Sequence, residues 1–99
     1  MKLVWSRHAA ADRMAIFTWI AQDDPRAAAL VDDRLEGAVR RLTDFPESGR
    51  PGRVEGTREL VVARTPYVVP YQIVGDTVRL LRVIHGARMW PQEINDGDG

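Results

Sequence analysis

The chain has 99 residues, 14 basic and 14 acidic, with 44% hydrophobic residues and no cysteine. A chain this short buries only roughly 60 to 65% of its unfolded surface, so it is read as one domain, 1–99, with one modest core. Zero net charge excludes a general attraction to nucleic acid, and the absence of cysteine excludes disulfides and thiolate metal sites. No apolar run approaches the ~20 residues of a membrane span, and no secretory-type apolar stretch follows Met1. A soluble, cytoplasmic protein is expected, with no membrane partner and no cofactor or metal.

Charge is unevenly spread. Residues 1–39 carry five basic and six acidic groups, residues 40–90 carry nine and five, and residues 91–99 carry none and three. Thirteen of the 14 basic residues are arginine, whose planar fork binds carboxylate or phosphate in a bidentate manner. Biased base composition explains the same excess equally well.

Lys2 to Trp5 alternates as a short strand, and Ser6 suits the N-cap of a helix running to about Gln22. In that helix Ala10, Met14, Phe17 and Ile20 or Ala21 recur at three- and four-residue spacing, which predicts the buried stripe. Asp24 and Pro25 open a second helix to roughly Thr43, with Val31, Leu35, Ala38 and Leu42 inward. Gly37, unfavourable in a helix by about 1 kcal/mol, marks either a close crossing or mere tolerance. Phe45 to Gly56, with two prolines and three glycines, reads as a loop without a regular element, carrying Arg50 and Arg53.

Three strands follow, Arg58–Arg64, Tyr67–Val74 and Thr77–His85, the last two joined by Gly75-Asp76. The first is read with Arg58, Leu60, Val62 and Arg64 on one face and Glu59, Val61 and Ala63 on the other. Pro70 removes a ladder donor, so a bulge or ladder break is expected beside it. Trp90 is expected to pack back on the sheet, and about 92–99 to fray as an acidic tail. The fold class is α+β, in the order β-α-α-β-β-β, with a helical hairpin on one face of a mainly antiparallel sheet. The other face, less covered, is where a partner groove or active cleft is expected.

No phosphate loop, zinc motif or nucleophile elbow is present, and His8 and His85 are far apart. The candidate catalytic residues are Arg58, Glu59, Arg64, Arg82, His85 and Arg88, because arginines can stabilise a pentacovalent phosphate and a histidine can move a proton near neutral pH. Arg50, Arg53, Tyr67, Tyr71 and Trp90 are partner-binding candidates. The same residues also fit a structural role, with arginines paired to Glu59 or Asp76, tyrosines in the core and His85 bonded at a strand end.

Trp5-Ser6, Asp24-Pro25-Arg26-Ala27-Ala28, Phe45-Pro46 and Gly49-Arg50-Pro51-Gly52-Arg53 occur in that order. They are followed by Gly56-Thr57-Arg58-Glu59-Leu60-Val61-Val62, by Pro66-Tyr67-Val68-Val69 with Tyr71, and by Leu81-Arg82-Val83-Ile84-His85-Gly86-Ala87-Arg88 with Trp90-Pro91. Together they resemble the RelE/ParE superfamily of toxins from type II toxin–antitoxin modules, over most of the chain. The resemblance implies a toxin neutralised by a cognate antitoxin. It acts either on DNA gyrase, in the ParE manner, or as a ribosome-dependent messenger RNA endoribonuclease, in the RelE manner; a degenerate member would bind only its antitoxin. RelE ribonucleases carry paired lysines on the first meander strand, an arginine after the next strand's aromatic, an arginine after the last strand and a C-terminal tyrosine. Here Glu59 and Val61, then Val68, and finally Ile94 stand at the first, second and last of these, and Arg88 alone matches. Glu59, Arg64 and His85 could supply the Glu-Arg-His set of other superfamily nucleases. The chain is more similar to the ParE branch.

Overall fold

The computed structural model describes residues 1–88. Trp90, Ile94 and the tail 92–99 lie outside the described residues. Strand β1 (Lys2–Trp5) leads into helix α1 (Arg7–Ala21) through Ser6, whose Oγ accepts the Ala9 N–H at 3.0 Å and donates to the Leu81 carbonyl at 2.9 Å. One buried hydroxyl therefore both caps α1 and ties its start to the chain at Leu81. Ser6→Ala is expected to cost about 2 kcal/mol, since it removes a cap and orphans a buried carbonyl. Urea unfolding checks this, and an unchanged midpoint would contradict it.

Helix α2 (Pro25–Arg40) starts at Asp24, whose carboxylate accepts the N–H groups of Arg26 and Ala27 at 3.1 Å. Its end tightens into a 3₁₀ turn, Arg41–Thr43, so the helical path stops where the sequence places it. The two helices form an antiparallel hairpin. Arg13 of α1 bridges it, with Nε 2.7 Å from Asp32 Oδ1 and Nη1 3.0 Å from Glu36, while its guanidinium lies 4.8 Å from the Trp5 ring centre.

The strands are β2 (Arg50–Pro51), β3 (Arg58–Val61), β4 (Tyr67–Val74), β5 (Thr77–Leu80) and β6 (Ile84–His85). They form one mixed sheet in the order β1-β5-β4-β3-β2, with β6 also on β4. Only the β1–β5 pairing is parallel; the others are antiparallel. Gly75, at φ 60°, makes the first position of the β4–β5 turn, where a side chain would be strained. The helices cover one face. Ala9, Leu35, Ala38, Val39 and Leu42 meet Val62, Val69, Tyr71, Val78, Leu80 and Val83 in the core between the layers.

Several expectations need correction. The segment 45–56 does contain a regular element, the two-residue β2 that pairs with Arg58 and Glu59. The third long strand is broken: its first half pairs with β4 as Tyr71↔Leu80 and its second as Tyr67↔His85, a one-residue change of register. The bulge lies opposite Pro70, as its missing N–H requires. Pro70 keeps its carbonyl bond to the Leu81 N–H at 2.9 Å, while the released Leu81 carbonyl and Val83 N–H are taken up by Ser6 and by Asp12.

Helix α1 is turned away from the orientation read from its spacing. Ala9 is buried, Ile16 and Ile20 are half-buried, and Met14 and Phe17 are 72% and 41% exposed. The helix is apolar on nearly every side, so periodicity alone could not select a face. The small Ala9, the Arg13 bridge and the Ser6 and Asp12 bonds select it instead. Gly37 marks no close crossing, because a Cβ there would meet nothing within 4 Å. The face of β4 away from the helices is not bare either, since Val68 and Pro70 are buried.

Candidate functional site

The catalytic candidates fall into three separate environments. The first surrounds Glu59, which is 4% exposed. Its Oε1 accepts from Arg50 Nη2 at 3.1 Å, and its Oε2 from the Arg53 N–H at 2.9 Å and Arg53 Nε at 3.3 Å. Burial alone would raise its pKa, but the Arg53 N–H and the two guanidinium groups outweigh it and hold the carboxyl below the ordinary glutamate range. A buried carboxylate so engaged is poorly placed to take a proton from a substrate. Arg50 and Arg53, expected to face a partner, turn to Glu59 and close the loop. Arg58 likewise donates to the carbonyls of Glu47 at 3.1 Å and Gly49 at 2.7 Å. Tyr71, also expected at a partner surface, is fully buried; its hydroxyl donates to the Pro46 carbonyl at 2.7 Å and accepts the Gly49 N–H at 2.9 Å. Burial raises its pKa.

The second environment is the β3–β4 turn. Arg64 lies there rather than on a strand, is exposed, and has φ 65°.

The third is a groove of about 800 Å³ between the helices and the end of the sheet. Ala15, Ile16, Trp19 and Ile20 of α1 and Val31 of α2 form one wall. Pro66, Tyr67, Val83 and Ile84 form the other, with Arg82, His85 and Arg88 among them. Thus Tyr67, Arg82, His85 and Arg88 are brought together here, and the other candidates among the described residues lie elsewhere. His85 packs edge-to-face on Tyr67, with ring centres 5.7 Å apart, and its Nδ1 accepts the Ala87 N–H at 3.2 Å. A neutral ring with that bond carries its proton on Nε2. Arg82 is bound in a bidentate manner to Asp12, at 2.7 and 3.0 Å, and Asp12 also accepts the Val83 N–H at 2.9 Å. Its guanidinium therefore fixes the bulge against α1.

Sequence reasoning missed Asp12 and Trp19. Asp12 carries no signal, because a single acidic residue on a helix reads as a solvated position. Trp19 does carry one, being a large aromatic off the predicted stripe, and it is 67% exposed at the groove. Among the described residues no group of His, Asp or Glu side chains is arranged to hold a metal ion, and no helix is long and apolar enough to cross a membrane.

Acid should weaken this architecture. Asp32, through its bonds to Arg13, and Glu36, through Arg40 and Arg13, are lowered like Glu59. Groups with lowered folded-state pKa values stabilise the fold above their unfolded values near ~4 and lose that contribution as pH falls through the folded values. The thermal midpoint is expected to hold between pH 7 and 5 and to fall by pH 3; a midpoint unchanged at pH 3 would contradict this.

Residues 3–90 match the family described as the ParE toxin of type II toxin-antitoxin system, parDE. The chain is 45% identical over 91 residues to a putative toxin, Y4kP, of Sinorhizobium fredii, covering 92% of this chain and 94% of that one. It is 39% identical over 88 residues to toxin RelE2 of Caulobacter vibrioides, covering 89% and 98%. The fold is similar to a solved chain of the chromosomal ParDE TA system from P. aeruginosa, with TM-score 0.76, 31% identity and coverage of 86% and 95%. With its two helices on a mostly antiparallel sheet, the chain belongs to the ParE toxins of type II toxin–antitoxin systems, within the RelE/ParE superfamily.

Proposed function

We propose that this toxin acts by binding a protein target, DNA gyrase, and that its antitoxin silences it by filling the groove between α1 and the Tyr67–His85 strands. Membership of a type II module implies the antitoxin. The observation that supports a binder is the dispersal of the nuclease candidates: Glu59 is buried under Arg50 and Arg53, Arg58 is tied to two carbonyls, and Arg82 is held by Asp12. Metal-free cleavage of RNA needs a base and several cations converging on one phosphate, each cation worth about 3 kcal/mol in a preorganised site. The groove instead offers apolar walls and an exposed tryptophan, the features of a protein-binding hot spot.

The second reading, ribosome-dependent cleavage of messenger RNA, is favoured by one observation, the convergence of His85, Arg88 and Tyr67 at the groove. Gyrase supercoiling and primer extension on translated messages, run on the same purified protein, separate the two. Inhibited supercoiling with intact messages is expected. Codon-positioned cleavage with gyrase unaffected would overturn the proposal.

A further inference from the structure

We infer that a second hollow, between α2 and the β3–β4 turn, is an oxyanion-binding pocket that receives an acidic side chain of a protein partner. It has a volume of about 320 Å³, with Arg34, Arg41 and Arg64 around a floor of Gly37, Ala38 and Ala63.

The charges are the first observation. Five arginines are matched with carboxylates: Arg13 with Asp32, Arg40 with Glu36, Arg50 and Arg53 with Glu59, and Arg82 with Asp12. In the hollow, the side chains of Arg41 and Arg64 have no hydrogen-bond or ion-pair partner among the described residues, and Arg34 commits one donor to the Arg64 carbonyl at 3.1 Å. Three guanidinium groups with free donors around one concavity form a receptor for a carboxylate.

The backbone is the second. Arg64 is the one side-chain-bearing residue with positive φ among the described residues. Glycine would relieve that strain, yet an arginine stands there, on the lining of the hollow. Gly37, mid-helix, has no packing reason to be glycine, and a side chain there would project into open space. Its absence keeps the floor open.

The occupant follows from shape and position. A hollow of this size, lined by the small residues Gly37, Ala38 and Ala63, has room for one or two carboxylate side chains rather than a run of phosphates, and Asp33 on its lining limits the negative charge it can take. The chain's zero net charge points the same way. The hollow and the groove are lined by neighbouring stretches of the same two segments. Val31, Arg34 and Ala38 recur at three- and four-residue spacing along one face of α2, Arg41 follows at its end, and Pro66 and Tyr67 of the groove come just after Arg64 in the chain. A segment with apolar residues in the groove would carry acidic residues onto these arginines. Naming the antitoxin as the source of that segment rests on the reading above.

The test is amide chemical-shift mapping of the ¹⁵N-labelled chain with capped hexaglutamate and, separately, a twelve-nucleotide oligothymidylate. Hexaglutamate is expected to shift the amides of Arg34, Gly37, Ala63 and Arg64. Arg41→Ala and Arg64→Gly should each weaken it about tenfold, while Arg64→Gly, relieved of strain, keeps or raises the thermal midpoint. No shift at these amides, or unchanged affinity in both variants, overturns the proposal. Tighter binding of the oligonucleotide at the same amides also overturns it and assigns the hollow to nucleic acid. Because the probe is not the antitoxin, failure of the antitoxin reading shows separately, as no complex with the antitoxin while hexaglutamate still binds.

Discussion

Gly49→Ala is expected to lower the unfolding free energy by about 3 to 5 kcal/mol. A Cβ at Gly49 would stand 2.6 Å from both Cε1 and the hydroxyl of Tyr71 and 2.9 Å from the Glu59 carbonyl. Tyr71 cannot retreat, being fully buried in the core with its hydroxyl bonded to Pro46 and Gly49. The methyl thus adds overpacking, worth about 1 to 3 kcal/mol, to the loss of one buried and one part-buried hydrogen bond. Tyr71→Phe removes the bonds alone and should cost about 2 kcal/mol. Urea unfolding of both variants checks the order. Equal midpoints for Gly49→Ala and the wild type would mean that the 45–56 loop is not pinned as described.

Trp19→Ala is expected to weaken antitoxin binding at least 30-fold, about 2 kcal/mol, and to leave stability within about 0.5 kcal/mol. The side chain is 67% exposed, so the fold does not depend on it, and it stands where a partner in the groove would bury it. Phe17→Ala, on the opposite, outward side of α1, is the control and should have little effect. Titration calorimetry decides between them; a larger loss for Phe17→Ala would move the interface to the outward stripe of Met14 and Phe17.

Where sequence signals were local and chemical, the structure follows them. Ser6 and Asp24 cap the helices, Gly75 makes the turn, and Pro70 breaks the ladder. Each has one physical outcome that a short window of sequence contains. The orientation of α1 was not legible, because a helix apolar on nearly every side has several stripes, and long-range bonds from Ser6, Asp12 and Arg13 select among them. The site was legible in part. Tyr67, His85, Arg82 and Arg88 do share a groove, but Glu59, Arg50, Arg53, Arg58 and Tyr71 hold the 45–56 loop in place. Sequence gives the charge of such residues but not their partners. An arginine meant for a ligand and one meant for a buried glutamate look alike until Glu59 is seen to be inside.

The central claim is that the groove between α1 and the Tyr67–His85 strands is the protein-binding surface. Hydrogen exchange of the toxin, free and bound to its antitoxin, tests it most directly. Protection concentrated in 15–20, 66–68 and 82–86 is the result this account predicts. Protection confined to the outward face of α1 or to the 45–56 loop, with the groove exchanging as in the free protein, would contradict it.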